Sequence, residues 1–209
     1  MSWKKLCKSK LYGGMGFQNL EVFNLALLAK QGWQILSNPN SLMARVYKAK
    51  YFPYDDILNA KLGSNPSYAW RSIFNSFEVI RKGTRWRVGN GKRIHLWEDK
   101  WLPTPTTHKV ISTLRVFDDF PMVSSFIDEN SKWWKLDLVK SLFLHFEAKE
   151  ILKIRLSHSL LKDSLIWLGN KKGSFTVKSA YYVAKEFVES GATGESSSNH
   201  QASPFLKKI

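Results

Sequence analysis

The chain has 209 residues, with 32 Lys and Arg against 17 Asp and Glu, a formal net charge of +15. At 44% hydrophobic and 14% aromatic it can build a core, which excludes a wholly disordered protein. A single Cys excludes a disulfide scaffold or a Cys-rich zinc module, and no apolar run approaches the roughly 18–20 residues of a membrane span. The basic start, residues 1–17, lacks the apolar segment of a secretory signal, so the expected setting is intracellular, with no compartment assigned and no membrane partner.

Charge is unevenly spread. Residues 1–115 hold 19 basic and 6 acidic side chains, net +13, whereas residues 116–209 hold 13 and 11, net +2. A polyanion is therefore expected on the first half, and nucleic acid is the usual polyanion at this charge. The plainer alternative is that Lys and Arg only solubilise an aromatic-rich core.

Asn19–Leu36 reads as a helix with a wide apolar arc through Val22, Ala26, Ala29 and Trp33, the pattern of a helix packed on several neighbours. Asn38 suits an N-cap and Pro39 a first helical position, and a second helix is expected over Ser41–Tyr51. Ser67–Lys82 is a third, with Trp70, Ile73, Phe77 and Ile80 in 3-4-3 spacing and Gly83 placed to end it in the left-handed conformation. Thr84–Val88 and Lys92–Trp97 both alternate and flank Gly89-Asn90-Gly91, which predicts a tight β-hairpin carrying Arg85, Arg87, Arg93 and His95 on its outer face. Such a basic ribbon can lie on a phosphate backbone, and it is equally an ordinary solvated face.

Residues 98–130 read as loop-rich, broken by Pro103, Pro105 and Pro121. Trp133–Phe143 and Phe146–Ile154 are expected helices. Asp163–Trp167 and Ser174–Val177 flank a second hairpin candidate, and Ser179 can N-cap a helix through Val188. The polar tract after Glu189 has nothing to bury and is expected to be disordered.

Little here supports catalysis. Cys7 has no Cys-x-x-Cys partner, and the five His residues never fall at the i, i+4 spacing of a zinc helix, so neither a metal nor a cofactor is expected. Asp55-Asp56 and Asp118-Asp119 each follow an aromatic directly, without the spacer of a polymerase metal hairpin, and read as turn residues.

The order of motifs is distinctive. Trp3-x-x-Leu6-Cys7-x-x-Lys10, Gly13-Gly14-Met15-Gly16-Phe17 and Phe23-Asn24-x-Ala26-Leu27-Leu28-Ala29-Lys30-Gln31-x-Trp33 open the chain. Lys48-Ala49-Lys50-Tyr51-Phe52-Pro53, Ser67-Tyr68-x-Trp70-Arg71-Ser72-Ile73, Gly83-x-x-Trp86-Arg87-Val88-Gly89-Asn90-Gly91 and Trp97-x-Asp99-x-Trp101-Leu102-Pro103 follow. Asp163-x-x-x-Trp167 and Gly173-x-Phe175-x-Val177-Lys178-Ser179-Ala180-Tyr181 come last. Over about residues 1–188 this resembles the part of plant non-LTR (LINE-type) retrotransposon reverse transcriptases that follows the palm, up to the start of the reverse-transcriptase zinc-binding domain.

The resemblance implies thumb-like helices over 1–82, a basic β-hairpin over 83–104 and a truncated start of the zinc-binding-type domain over 163–188; the residues themselves add a connector of loops and helices over 105–162 and a disordered tail over 189–209. The expected fold is α+β and mainly helical. No position matches the family's polymerase or ribonuclease H carboxylates, so a truncated, non-enzymatic fragment is expected. It would bind RNA or an RNA–DNA hybrid through Lys30, Arg45, Lys48, Lys50, Arg85, Arg87, Lys92 and Arg93. The rival expectation is an inert or protein-interaction remnant whose aromatic stripes once packed on the absent palm.

Overall fold

The computed structural model describes residues 6–7, 10–104, 107–112, 121–157 and 159–194. The fold is α+β, with helices and two two-stranded antiparallel sheets. The chain divides into two compact units, one from Met1–Lys82 with Phe175–Ile209, the other from Gly83–Ser174.

The first unit is helical. Helix α1, Leu20–Ser37, starts at Asn19, whose side chain accepts N–H groups that the first turn otherwise leaves without partners. Helix α2, Leu42–Tyr51, is capped by Ser41 and not by Asn38. The Ser41 hydroxyl reaches the Ala44 N–H, while Asn38 closes α1 by donating its own N–H to Gln34. Ser67 caps α3, Tyr68–Asn75. The expected single helix over Ser67–Lys82 is broken at Ser76, whose N–H and hydroxyl both turn back onto the Ile73 carbonyl at 3.0 and 2.6 Å. Helix α4, Phe77–Gly83, follows. Trp70 is fully buried and lies parallel to Tyr51, with centroids 4.6 Å apart and 4° between planes. Such a pair adds about 1 kcal/mol beyond its buried area.

One helix of this unit arrives from far along the chain. It spans Val177–Gly194 and packs along α1. Ala26 and Ala29 of α1, and Ala180 and Ala184 of this late helix, are completely buried, small residues that permit close approach. The Tyr181 hydroxyl accepts the Asn19 N–H at 3.0 Å, and Trp33 stacks on Phe175 at 5.7 Å. Thr176 caps the helix through the Ser179 N–H, so Ser179 sits inside the first turn and is not the cap. The helix passes Val188 and Glu189 to reach Gly194, so residues 189–194 are helical where disorder was expected. The rest of the expected tail lies outside the described residues.

The second unit holds both sheets. Strand β1, Thr84–Arg87, does not form the expected hairpin with 92–97. It pairs antiparallel with Ser164–Trp167, placing Arg85 opposite Ile166 and Arg87 opposite Ser164. Each hairpin candidate thus supplies one strand to a shared sheet. The reason is the Asp163 carboxylate, which accepts the N–H groups of Gly89 at 2.7 Å, Gly91 at 2.9 Å and Arg93 at 3.0 Å. The Gly-Asn-Gly segment wraps this buried acid in place of turning a hairpin. A Cβ on Gly89 would stand 1.9 Å from the Leu161 carbonyl oxygen, and Gly91 has φ +69°, so both positions require glycine. The expected return strand Ser174–Val177 is likewise no strand, because Trp167 donates to Gly173 and the chain then enters the late helix.

Strands β2, Ile127–Asp128, and β3, Trp133–Trp134, form the other sheet. Asp128 accepts the Asn130 N–H and the Ser131 hydroxyl across their turn, so the helix expected from Trp133 starts only as α5, Leu136–Leu142. Helix α6, His145–Lys153, follows, and β4, Ser164–Trp167, completes the unit before the late helix, α7 in chain order. The core gathers Ile94, Leu96, Trp101, Leu102, Phe126 and Ile151. Glu147 is fully buried beside it and accepts the backbone N–H groups of Ile111 and Ser112 and the Ser112 hydroxyl. Gly83 is not left-handed. It is glycine because the Trp167 ring lies over it, Cη2 standing 2.3 Å from where a Cβ would be.

Candidate nucleic-acid interface

Within the second unit, β1, β4, the end of α6 and the turn after β4 enclose a cleft of about 390 Å³. Arg85, Arg87, Lys153, Arg155 and Lys171 line it, and no carboxylate is among its lining residues. Strand alternation brings Arg85 and Arg87 to this side, two residues apart. Trp86 between them lies under the Arg93 guanidinium, 5.4 Å from the ring centroid.

Several contacts fix the wall. The indole N–H of Trp134 donates to the Ile154 carbonyl at 2.9 Å, which satisfies a helix-end oxygen and pins the end of α6 between Lys153 and Arg155. Asn170 accepts the Ser174 N–H and donates to the Ser174 carbonyl, which closes the turn carrying Lys171. Gly173 has φ +73°, a left-handed conformation that favours glycine at this turn. Asp163 fixes the entry to β4 by its grip on the 89–93 loop.

The electrostatics favour an anion. Arg85 is half-buried, and its Nη1 donates to the carbonyls of Trp86 at 3.3 Å and Trp101 at 3.4 Å. Burial first, and the neighbouring Arg87 charge second, lower its guanidinium from the ordinary value. Arginine stays protonated under such a shift, so the site carries a partly desolvated positive charge. Lys153 meets Glu150 at 2.6 Å, but an exposed pair of this kind contributes little and exchanges readily. A phosphate entering here relieves repulsion among like charges and takes charge-assisted hydrogen bonds.

The eight cations picked from the sequence separate. Arg85 and Arg87 meet in the cleft. Arg93 lies on Trp86, and neither it nor His95 lines the cleft, so the expected outer face of Arg85, Arg87, Arg93 and His95 does not form; Lys92 pairs with Glu129 at 3.3 Å. Lys30 on α1 and Arg45, Lys48 and Lys50 on α2 are exposed in the other unit, with Lys50 over the Tyr51 ring at 5.3 Å. Sequence reasoning missed Lys153, Arg155 and Lys171. Their signal was weak, because they belong to the half of the chain whose net charge is only +2. It also read Asp163 as a strand end and a family position, without a ligand role for its carboxylate, and passed over Glu147; these are the two buried carboxylates that organise this unit.

Asp55 and Asp56 stand exposed in a loop, and Asp118-Asp119 lie outside the described residues. Among the described residues, no three His, Cys, Asp or Glu side chains gather in a way that could hold a metal ion. No helix among them is long and apolar enough to cross a membrane.

No protein-family model and no solved structure matches the chain. The "Putative ribonuclease H protein At1g65750" of Arabidopsis thaliana is 27% identical over 187 residues, 87% of this chain. The chain spans only 30% of that relative's length. The "Uncharacterized mitochondrial protein AtMg00310" of the same plant is 41% identical over 107 residues, 51% of this chain. That similarity covers 70% of the relative, and the chain belongs to the family of this mitochondrial protein.

Proposed function

We propose that the chain is a retroelement-derived, reverse-transcriptase-like protein that binds the sugar–phosphate backbone of RNA or DNA and catalyses nothing itself. The observation that carries this reading is the carboxylate-free cleft lined by Arg85, Arg87, Lys153, Arg155 and Lys171. Backbone phosphates are the polyanion such a site accommodates, and contacts of this kind bind without reading sequence. The remaining cations, Lys30, Arg45, Lys48, Lys50, Lys92 and Arg93, lie outside the cleft and add to the net positive charge that attracts a polyanion to the chain. Similarity to a relative named as a ribonuclease H protein, and the resemblance to plant LINE-type reverse transcriptases, agree with a nucleic-acid partner.

The test is binding of the purified chain to a labelled RNA–DNA hybrid across a salt series, beside a chain with Arg85 and Arg87 changed to Ala. Affinity is expected to fall steeply with salt, and less steeply in the variant. Addition of Mg²⁺ and nucleotides to a primed template is expected to give no extension. Binding that is absent at low salt, or identical in the variant, overturns the reading.

A second reading has its own support. Leu20 and Leu27 of α1, and Leu42 and Val46 of α2, are large apolar side chains exposed to solvent. They fit a protein-interaction surface, and concentration-dependent sedimentation that disappears in a Leu42→Ser, Val46→Ser chain would favour it.

A further inference from the structure

Of all the Ser and Thr residues in the chain, Thr84 and Ser174 alone follow a cation at both the third and the second preceding position. The two stretches are Arg81-Lys82-Gly83-Thr84 and Lys171-Lys172-Gly173-Ser174. A basic pair at that spacing is the charge pattern by which a basophilic protein kinase selects its hydroxyl. Burial separates the two candidates. Thr84 is 4% exposed, in β1 opposite Trp167. Ser174, Lys171 and Lys172 are exposed. None of residues 169–174 is buried, so this turn opens at small cost to the extended form a kinase needs.

Ser174 also borders the cleft. Its neighbours Asn170, Lys171 and Gly173 line it, and a Cβ on Gly173 would stand 3.6 Å from the Arg87 guanidinium. The Asn170 amide already donates to the Ser174 hydroxyl at 3.2 Å. A phosphate on that oxygen brings a charge of about −2 and three strong acceptors to a rim of cations.

We infer that Ser174 is a phosphorylation site whose phosphate pairs with Arg87 and Lys171 and closes the cleft to other phosphates. The Ser174 hydroxyl oxygen attacks the γ-phosphorus of ATP as the bond to the bridging oxygen breaks. ADP leaves, and the hydroxyl proton passes to the kinase's base. The modification site stands independently of the nucleic-acid reading; only the consequence for a bound backbone rests on it.

The full chain and a Ser174→Ala chain, which keeps the backbone bonds of the turn, are incubated with ATP and the catalytic subunit of cyclic-AMP-dependent protein kinase, and modified residues are mapped by mass spectrometry. Phosphate is expected on Ser174, with Thr84 unmodified. Phosphorus NMR then follows the phosphoserine through pH. Its second ionisation is expected below the ordinary value of about 6, and to return toward it in an Arg87→Gln chain. The phosphorylated chain is expected to bind a labelled RNA–DNA hybrid about ten-fold more weakly than the unmodified one at low salt. An unmodified Ser174 overturns the site. A phosphate that titrates alike with and without Arg87, or hybrid affinity unchanged by phosphorylation, overturns the closure. An unmodified chain that binds no hybrid overturns the nucleic-acid reading alone, and the phosphorus titration still decides whether the phosphate occupies the cleft.

Discussion

The Asp163 carboxylate holds the Gly89 N–H at 2.7 Å across 74 residues of sequence. Gly91 and Arg93 donate to the same group, so one buried acid satisfies three backbone donors and closes the loop between β1 and the segment before β4. Asp163→Ala leaves those donors buried without an acceptor and is expected to cost about 3 kcal/mol, with Asp163→Asn costing less. Urea unfolding followed by tryptophan fluorescence checks this. An Asp163→Ala chain as stable as the parent would show that the loop finds other partners.

Gly83 and Trp167 form a second fixed pair. Trp167 is 1% exposed and cannot swing away from an added methyl 2.3 Å from its ring. Gly83→Ala is expected to destabilise by about 1–3 kcal/mol. Trp167→Leu opens a cavity and costs more on its own, about 3 kcal/mol. In the double variant the methyl enters the vacated space, so the combined loss is expected to fall short of the sum, a coupling that a double-mutant cycle reads directly.

Salt dependence separates cleft cations from their neighbours. Arg87→Ala and Lys171→Ala are each expected to lower the log–log salt slope of duplex binding by about 0.9, the value for one lost phosphate contact. Lys92→Ala is expected to leave it unchanged, because Lys92 faces Glu129 and does not line the cleft. A slope that falls equally for all three would mean diffuse attraction in place of a site.

Acid stability has a marker in the turn between β2 and β3. The Asn130 N–H, and after it the Ser131 hydroxyl, hold the Asp128 carboxyl below the ordinary carboxylate value. The folded group then keeps its negative charge at a pH where the unfolded one is already protonated. Its contribution is full above the ordinary value and is lost as pH falls through the lowered one. Asp128→Asn is expected to flatten the stability–pH curve in that acid window and to leave its shape unchanged above about pH 5. Denaturation midpoints from pH 2 to 7 make the comparison.

Periodicity was reliable where the partner is local, and the stripe Trp70, Ile73, Phe77, Ile80 is buried as its spacing predicts. Caps were not: Asn38 and Ser179, the two read from the sequence, give way to Ser41 and Thr176. Alternation correctly separated Arg85 and Arg87 from Trp86. The larger errors came where a distant group outcompeted a near one. Asn-Gly between alternating runs is a strong hairpin signal, yet three N–H groups in that region go to Asp163, and β1 takes a strand some 80 residues away. The cleft was half legible for the same reason. Counting charge along the chain highlights residues 1–115, while the fold draws Lys153, Arg155 and Lys171 from beyond it. The break at Ser76 turns on a hydroxyl bonding back to Ile73, which no apolar spacing encodes.

The pairing of α1 with a helix that begins at Val177 sets an order on folding. As the chain is synthesised, every residue of the unit from Gly83 to Ser174 emerges before α7 does. The Gly83–Ser174 unit can therefore complete its core while the apolar side of α1, made earlier, still awaits its late partner. Ribosome-associated chains halted shortly after Ser174 should present that surface to chaperones, and chains extended past Gly194 should withdraw it.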